Sequence, residues 1–144
     1  MRMDEHNTQT SDTPLVLVVE DDWVINGLIH DILEFEGFRV FAVETADEAW
    51  RFLLEASCQV DLIFSDIHLP GLLGGIDLAN LVYQRWPHLP IILSSGSRGH
   101  QPLEPGCTPV FVAKPWHSLD IGAVCRRALA ARAPAHAKPR RDTR

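Results

Sequence analysis

The chain has 144 residues, 46% of them apolar, and a formal net charge of −6. That length suits one domain with a real core, and no apolar stretch approaches the ~20 residues that a membrane-spanning helix needs. The polar, acid-bearing start MRMDEHNTQTSDTP is not the pattern of a signal peptide, and three scattered cysteines without a C-x-x-C spacing point to a reduced, cytoplasmic protein without structural zinc.

Charge is divided unevenly. Residues 126–144 carry seven basic groups against one acid, a balance of +6, which leaves −12 on the rest. A basic tail on an acidic body can mark nucleic-acid or membrane contact. With no aromatic residue interleaved, it reads instead as a solvated helix end and an Ala/Pro-rich tail. The expected organisation is a disordered leader at 1–13, one domain at 14–131 and a basic tail at 132–144.

In chain order, Leu15–Val19 is an apolar, β-branched run, the mark of a strand buried on both faces. Ile25, Leu28, Ile29, Ile32 and Leu33 then fall at helical spacing, and Gly37 ends that helix. Residues 38–43 alternate as a second strand. Thr45 and Glu48 form a capping box for a second helix that turns Ala49, Phe52 and Leu53 to one face. Residues 60–65 are a third strand, followed by a Pro/Gly loop and a helix over 76–86 closed by Pro87. Residues 91–95 and 110–113 are the last two strands, and a final helix covers 118–131 with Leu119, Val124 and Leu129 inward.

Alternating strands and helices predict an α/β fold: a five-stranded parallel sheet, doubly wound and flavodoxin-like, (βα)5. One step is broken. GSRGHQPLEPGCTP, between the last two strands, holds three prolines and three glycines, so the fourth helix is expected to be short or missing.

The ends of the strands carry the chemistry. Glu20, Asp21 and Asp22 close the first, Asp66 the third, Ser94 and Ser95 the fourth, and Lys114 the fifth. Parallel strands bring these groups to the one sheet edge where open α/β sheets bind ligands. Crowded carboxylates repel, and a hard cation relieves them. Mg²⁺ fits, held by Glu20, Asp21 and Asp66 with the backbone carbonyl of His68. A carboxylate beside it, Asp66, can attack phosphorus and form an aspartyl-phosphate. Lys114 and Ser95 would then hold phosphoryl oxygens. Each group taken singly has a plainer reading: acids at a helix N-terminus, a loop-forming Asp, a turn serine, a solvated lysine. Their joint order is what argues for a site. The chain has no phosphate-binding glycine loop, no D-x-D and no G-x-S-x-G elbow.

The pieces VLVVEDD, DLIFSDIHLPG, GGIDLA, IILSSG and FVAKPW, in that order, resemble a response-regulator receiver domain across residues 14–130. The resemblance implies Glu20 and Asp21 as the metal-binding pair, Asp66 as phospho-acceptor, Lys114 as the phosphoryl contact, and Ser95 with Phe111 as the switch pair. It implies Mg²⁺ as cofactor and a histidine kinase or phosphotransfer protein as partner. The expected output is protein binding or phosphate shuttling with an unidentified downstream protein, with no DNA-binding domain, no membrane segment and no enzymatic activity beyond self-catalysed phosphotransfer and autodephosphorylation. A binding module of the same fold, regulated without phosphorylation, is the alternative; the complete set of five site residues speaks against it. Three features depart from the usual pattern: a Glu-Asp acidic pair, an extra glycine at Gly74-Gly75, and a short interval between Ser95 and Lys114. LPIILSSGSRG resembles an atypical receiver subgroup with a degraded fourth helix, which tends to stand alone and to partner HWE-type histidine kinases.

Overall fold

The computed structural model describes residues 13–96, 102–116 and 118–132. The expected leader, apart from Thr13, and the tail beyond Arg132 lie outside the described residues. The elements run β1 (Leu15–Val19), α1 (Trp23–Phe35), β2 (Arg39–Val43), α2 (Ala46–Ala56), β3 (Leu62–Asp66), α3 (Gly75–Arg85), β4 (Ile91–Ser95), β5 (Val110–Ala113) and α4 (Ser118–Ala131). β3 therefore starts two residues later than the apolar run suggests, and its last residue is Asp66 itself.

All four strand pairings are parallel, and the order across the sheet is β2-β1-β3-β4-β5. β1, β3 and β4 are buried along their whole length, which explains their unbroken apolar sequences. One face, with Leu17, Ile63 and Leu93, packs against α2 and α3 through Leu53, Ile76 and Val82. The other, with Val18, Phe64 and Ile92, packs against α1 and α4 through Ile29, Leu33, Ile121 and Cys125. Strand order reverses direction between β1 and β3, so a crevice opens at their C-terminal ends.

Local signals hold the helices in place. Asp22 caps α1, its carboxylate accepting the Val24 and Ile25 N–H groups. Gly37, at φ +98°, turns the chain out of α1 as only glycine does readily. Thr45 and Glu48 make the expected reciprocal box at α2.

Two helices are turned differently from their sequence periods. Leu28, one of the apolar residues of that spacing, is 52% exposed, while Asn26 takes an inward slot. Asn26 Nδ2 donates to Glu20 O at 2.9 Å and Val43 O at 3.1 Å, tying α1 to the ends of β1 and β2. In α4 the buried stripe is Ile121, Cys125 and Ala128; Val124 and Leu129 only flank it, and the Leu119 side chain lies outside what the structure describes.

Residues 102–109, between β4 and β5, contain no helix. They are held on α3 instead. Asn80 Nδ2 donates to Pro102 O at 3.3 Å, and Asn80 Oδ1 accepts the Glu104 N–H at 2.8 Å. Cys107 N–H donates to Glu104 O, closing a turn around Gly106, which packs against Tyr83.

Candidate functional site

Glu20 and Asp21 follow β1 directly, and Asp66 ends β3, one strand away. One oxygen from each lies within 4.8 Å of the others, so the three can share a cation. Lys114 follows β5, and its Nζ reaches across β4 to Asp66 Oδ2 at 3.1 Å and Glu20 Oε1 at 3.8 Å. Ser95 ends β4 between them, buried, with its carbonyl accepting the Lys114 N–H at 3.0 Å. Phe111 pairs with Leu93, two residues before Ser95 on the same sheet face, and is 47% exposed.

Asp66 is held at both oxygens. Oδ1 accepts the His68 N–H at 3.2 Å and Oδ2 faces Lys114. His68 thus enters the site first through its amide; its side chain is exposed. Glu20 is only 3% exposed, and Oε2 accepts the Asp22 N–H at 3.0 Å. Burial pushes its carboxyl up to about 7, with the Asp66 and Asp21 charges adding to the rise and the Asp22 N–H and Lys114 opposing it. A carboxylate so disfavoured is relieved when a cation joins it.

The glycine pair in the loop after β3 has separate duties. A Cβ on Gly75 would lie 2.3 Å from Asp66 O and 2.7 Å from Ile67 Cα, so α3 starts in direct contact with the backbone at Asp66. Gly74 has ordinary contacts only, and its N–H donates to Asp77 Oδ2 at 2.9 Å. Gly75→Ala is therefore expected to cost about 2 kcal/mol or more. Gly74→Ala should cost less than about 1 kcal/mol, since φ there is −96°. Urea midpoints of the two variants check the difference.

Sequence reasoning missed two supports of this site, Asn26 and Trp116, and named Ser94 only as a strand end. Asn26 braces the Glu20 backbone, and the Trp116 indole donates to Ser94 Oγ at 3.0 Å. The signal available for Asn26 was a polar residue at an inward helical position; for the Trp116–Ser94 pair there was none in local sequence.

A family model described as the response regulator receiver domain matches residues 16–121. Two-component response regulator ORR5 of Oryza sativa subsp. japonica is 31% identical over 122 residues, covering 81% of this chain and 89% of that protein. Nitrogen assimilation regulatory protein NtrX of Azorhizobium caulinodans is 31% identical over 121 residues, covering 79% of this chain and 26% of its own length. The chain spans only about a fifth to a quarter of the first such relatives. Among solved structures, the receiver domain of NtrX from Brucella abortus superposes with a TM-score of 0.69 at 29% identity, covering 81% of this chain and 98% of that one. A CheY-like receiver domain protein from Methanospirillum hungatei JF-1 gives 0.73 at 25% identity, covering 82% and 94%. The family match extends over most of the chain, including β1, β3, β4 and β5 with the residues that end or follow them, and this chain belongs to the response regulator receiver domain family.

Proposed function

We propose that Asp66 accepts a phosphoryl group from a histidine kinase or phosphotransfer protein, and that the phosphorylated chain signals by binding another protein or passing the group on. The observation that carries this reading is the Lys114 ammonium 3.1 Å from the same Asp66 whose carboxylate joins Glu20 and Asp21. The reaction balances simply. An Asp66 oxygen attacks phosphorus, the bond to the donor's leaving group breaks, and that group departs with its electron pair. Water later attacks phosphorus, releasing phosphate and restoring the carboxylate.

The donor set fits Mg²⁺: three hard carboxylate oxygens, one from a group that burial holds near neutrality. When bound at Glu20, Asp21 and Asp66, with the His68 carbonyl as a further ligand, Mg²⁺ would neutralise charge on the phosphoryl oxygens. The chain's own groups do the rest. Lys114 places a positive charge where negative charge collects. The Ser95 hydroxyl, on the neighbouring strand end, donates to another phosphoryl oxygen. As Ser95 is drawn in, Phe111 follows on the same sheet face, changing the surface that a partner reads. Asn80 already fixes residues 102–107 on α3, so no ordering of these residues on activation is expected. We place this module in the cytoplasm, acting without enzymatic turnover of other substrates.

The test is intact mass after incubation with acetyl phosphate and Mg²⁺, wild type beside Asp66→Ala. One added phosphoryl group, absent in the variant and without Mg²⁺, is expected. No addition from either acetyl phosphate or purified kinases, with Mg²⁺ binding intact, would instead favour a binding module regulated without phosphorylation.

A further inference from the structure

A lysine ammonium sits on a flexible four-carbon stem, so its charge is useful only where its backbone is fixed. The Lys114 backbone is fixed from two sides. Its own N–H donates to Ser95 O at 3.0 Å. Two residues on, Trp116 Nε1–H donates to Ser94 Oγ at 3.0 Å. The indole lies edge-on to Phe64, with centroids 6.4 Å apart and planes at 84°, in the layer that also holds Val112 and Ile121.

Ser94 is 1% exposed and lies opposite Asp66 in the β3–β4 ladder; its carbonyl accepts the Ile67 N–H at 3.0 Å. One serine thus touches the strand that carries Asp66, belongs to the strand that carries Ser95, and binds the segment that carries Lys114. Its hydroxyl reaches a layer made largely of apolar side chains, where an unpaired hydroxyl is costly. A buried indole N–H needs an acceptor as well. Phenylalanine at 116 would supply most of the same ring contact without that need, so packing alone does not account for the pair.

We propose that the Trp116–Ser94 hydrogen bond is a latch that positions Lys114 for phosphoryl transfer, which makes Trp116 a positioning residue for that reaction. The inference rests on the assignment of Asp66 as acceptor. Displacing a reacting group by about 1 Å can cost on the order of a hundredfold in rate. Loosening one of two anchors should cost less, about tenfold.

Two measurements on the full chain separate the latch from the acceptor assignment. In the first, phosphorylation by acetyl phosphate is timed for wild type, Trp116→Phe, Ser94→Ala and the double variant, with Mg²⁺ affinity from calorimetry alongside. Each single variant should be about tenfold slower, and the double no more than about twofold slower than either, because one bond is lost in all three. Mg²⁺ affinity should stay within about twofold of wild type. Single-variant rates within twofold of wild type, multiplicative losses in the double, or rate losses matched by equal losses of Mg²⁺ affinity would each overturn the latch.

The second measurement needs no phosphate. Urea midpoints of metal-free protein are compared for Trp116→Phe in the wild-type background and with Lys114→Met. If Trp116 sets where the ammonium sits among the carboxylates, its effect should be measurably smaller once that ammonium is gone, the unpaired Ser94 hydroxyl accounting for the remainder. An equal drop in both backgrounds rejects the latch. Absence of wild-type phosphorylation from both acetyl phosphate and purified kinases rejects the acceptor assignment and leaves this arm readable.

Discussion

Glu20→Gln makes the metal-free protein more stable at pH 8, by roughly 1–3 kcal/mol, although it removes a polar contact from the site. The reason is linkage. Burial first, then the charges of Asp66 and Asp21, raises the Glu20 carboxyl from 4.5 to about 7 in the folded chain. Between those values the folded state binds more protons than the unfolded state, so this group's contribution falls as pH rises. Below about pH 4.5 the penalty is absent, and above about pH 7 it is complete. Glutamine keeps an oxygen for the Asp22 N–H but never carries the charge.

Urea unfolding of both proteins at pH 5 and pH 8 checks this. The advantage of the variant should be clear at pH 8 and small at pH 5; an equal advantage at both would mean that ionisation of Glu20 is not its source. Added Mg²⁺ should reverse the ranking at pH 8, because the proposed cation relieves the wild-type carboxylates and has one fewer to bind in the variant. By the same sign, Mg²⁺ affinity of the wild type should rise with pH up to about 7, since a protonated Glu20 must lose its proton to become a ligand.

How much of this was legible in the sequence depended on distance along the chain. Strands β1, β3 and β4 show as apolar runs because both faces are buried, and a polar residue at the crevice ends β3 and β4 and directly follows β1. The parallel arrangement then places Glu20, Asp21, Asp66, Ser95 and Lys114 together without further information. Rotation of the helices was less legible. Leu28 fits a period of apolar residues, but the inward arc of α1 is centred on Asn26, Ile29 and Leu33, and an asparagine carries no hydrophobic signal. In α4 the inward positions are filled by Ile121, Cys125 and Ala128, two of them too small to outweigh nearby leucines.

Polar pairings across the fold were not legible at all. Asn80 ties Pro102 and Glu104 to α3 with two hydrogen bonds, and nothing in NLVYQ announces it. That residues 102–109 form no helix could be foreseen from prolines and glycines; what holds residues 102–107 on α3 could not. Trp116 and Ser94, and Asp61 and Arg132, are likewise ordinary residues until the sheet order brings them together.

Asp61→Ala is expected to cost roughly 3 kcal/mol, and Arg132→Ala only about 1 kcal/mol, although the two form one ion pair. Asp61 is buried just before β3, where Oδ2 accepts the Leu15 N–H at 2.9 Å. Arg132 NH1 lies 3.3 Å from both Asp61 O and Oδ1, fastening the end of α4 beneath the sheet. Without the carboxylate, a buried backbone donor at β1 loses its acceptor and a guanidinium loses its partner. Without the arginine, Asp61 keeps the Leu15 N–H, and the partly exposed position admits water. Arg132→Lys should recover part of the loss, because a single nitrogen, NH1, makes both contacts and one ammonium can donate to the same two oxygens. Urea titrations order the three variants, and a larger loss for Arg132→Ala than for Asp61→Ala would refute this account. The pair lies at the N-terminal end of the sheet, four residues of extended strand from Asp66. Folded protein of either variant should therefore take phosphate within about twofold of the wild-type rate, since packing defects that leave a site's own geometry intact act on stability rather than chemistry.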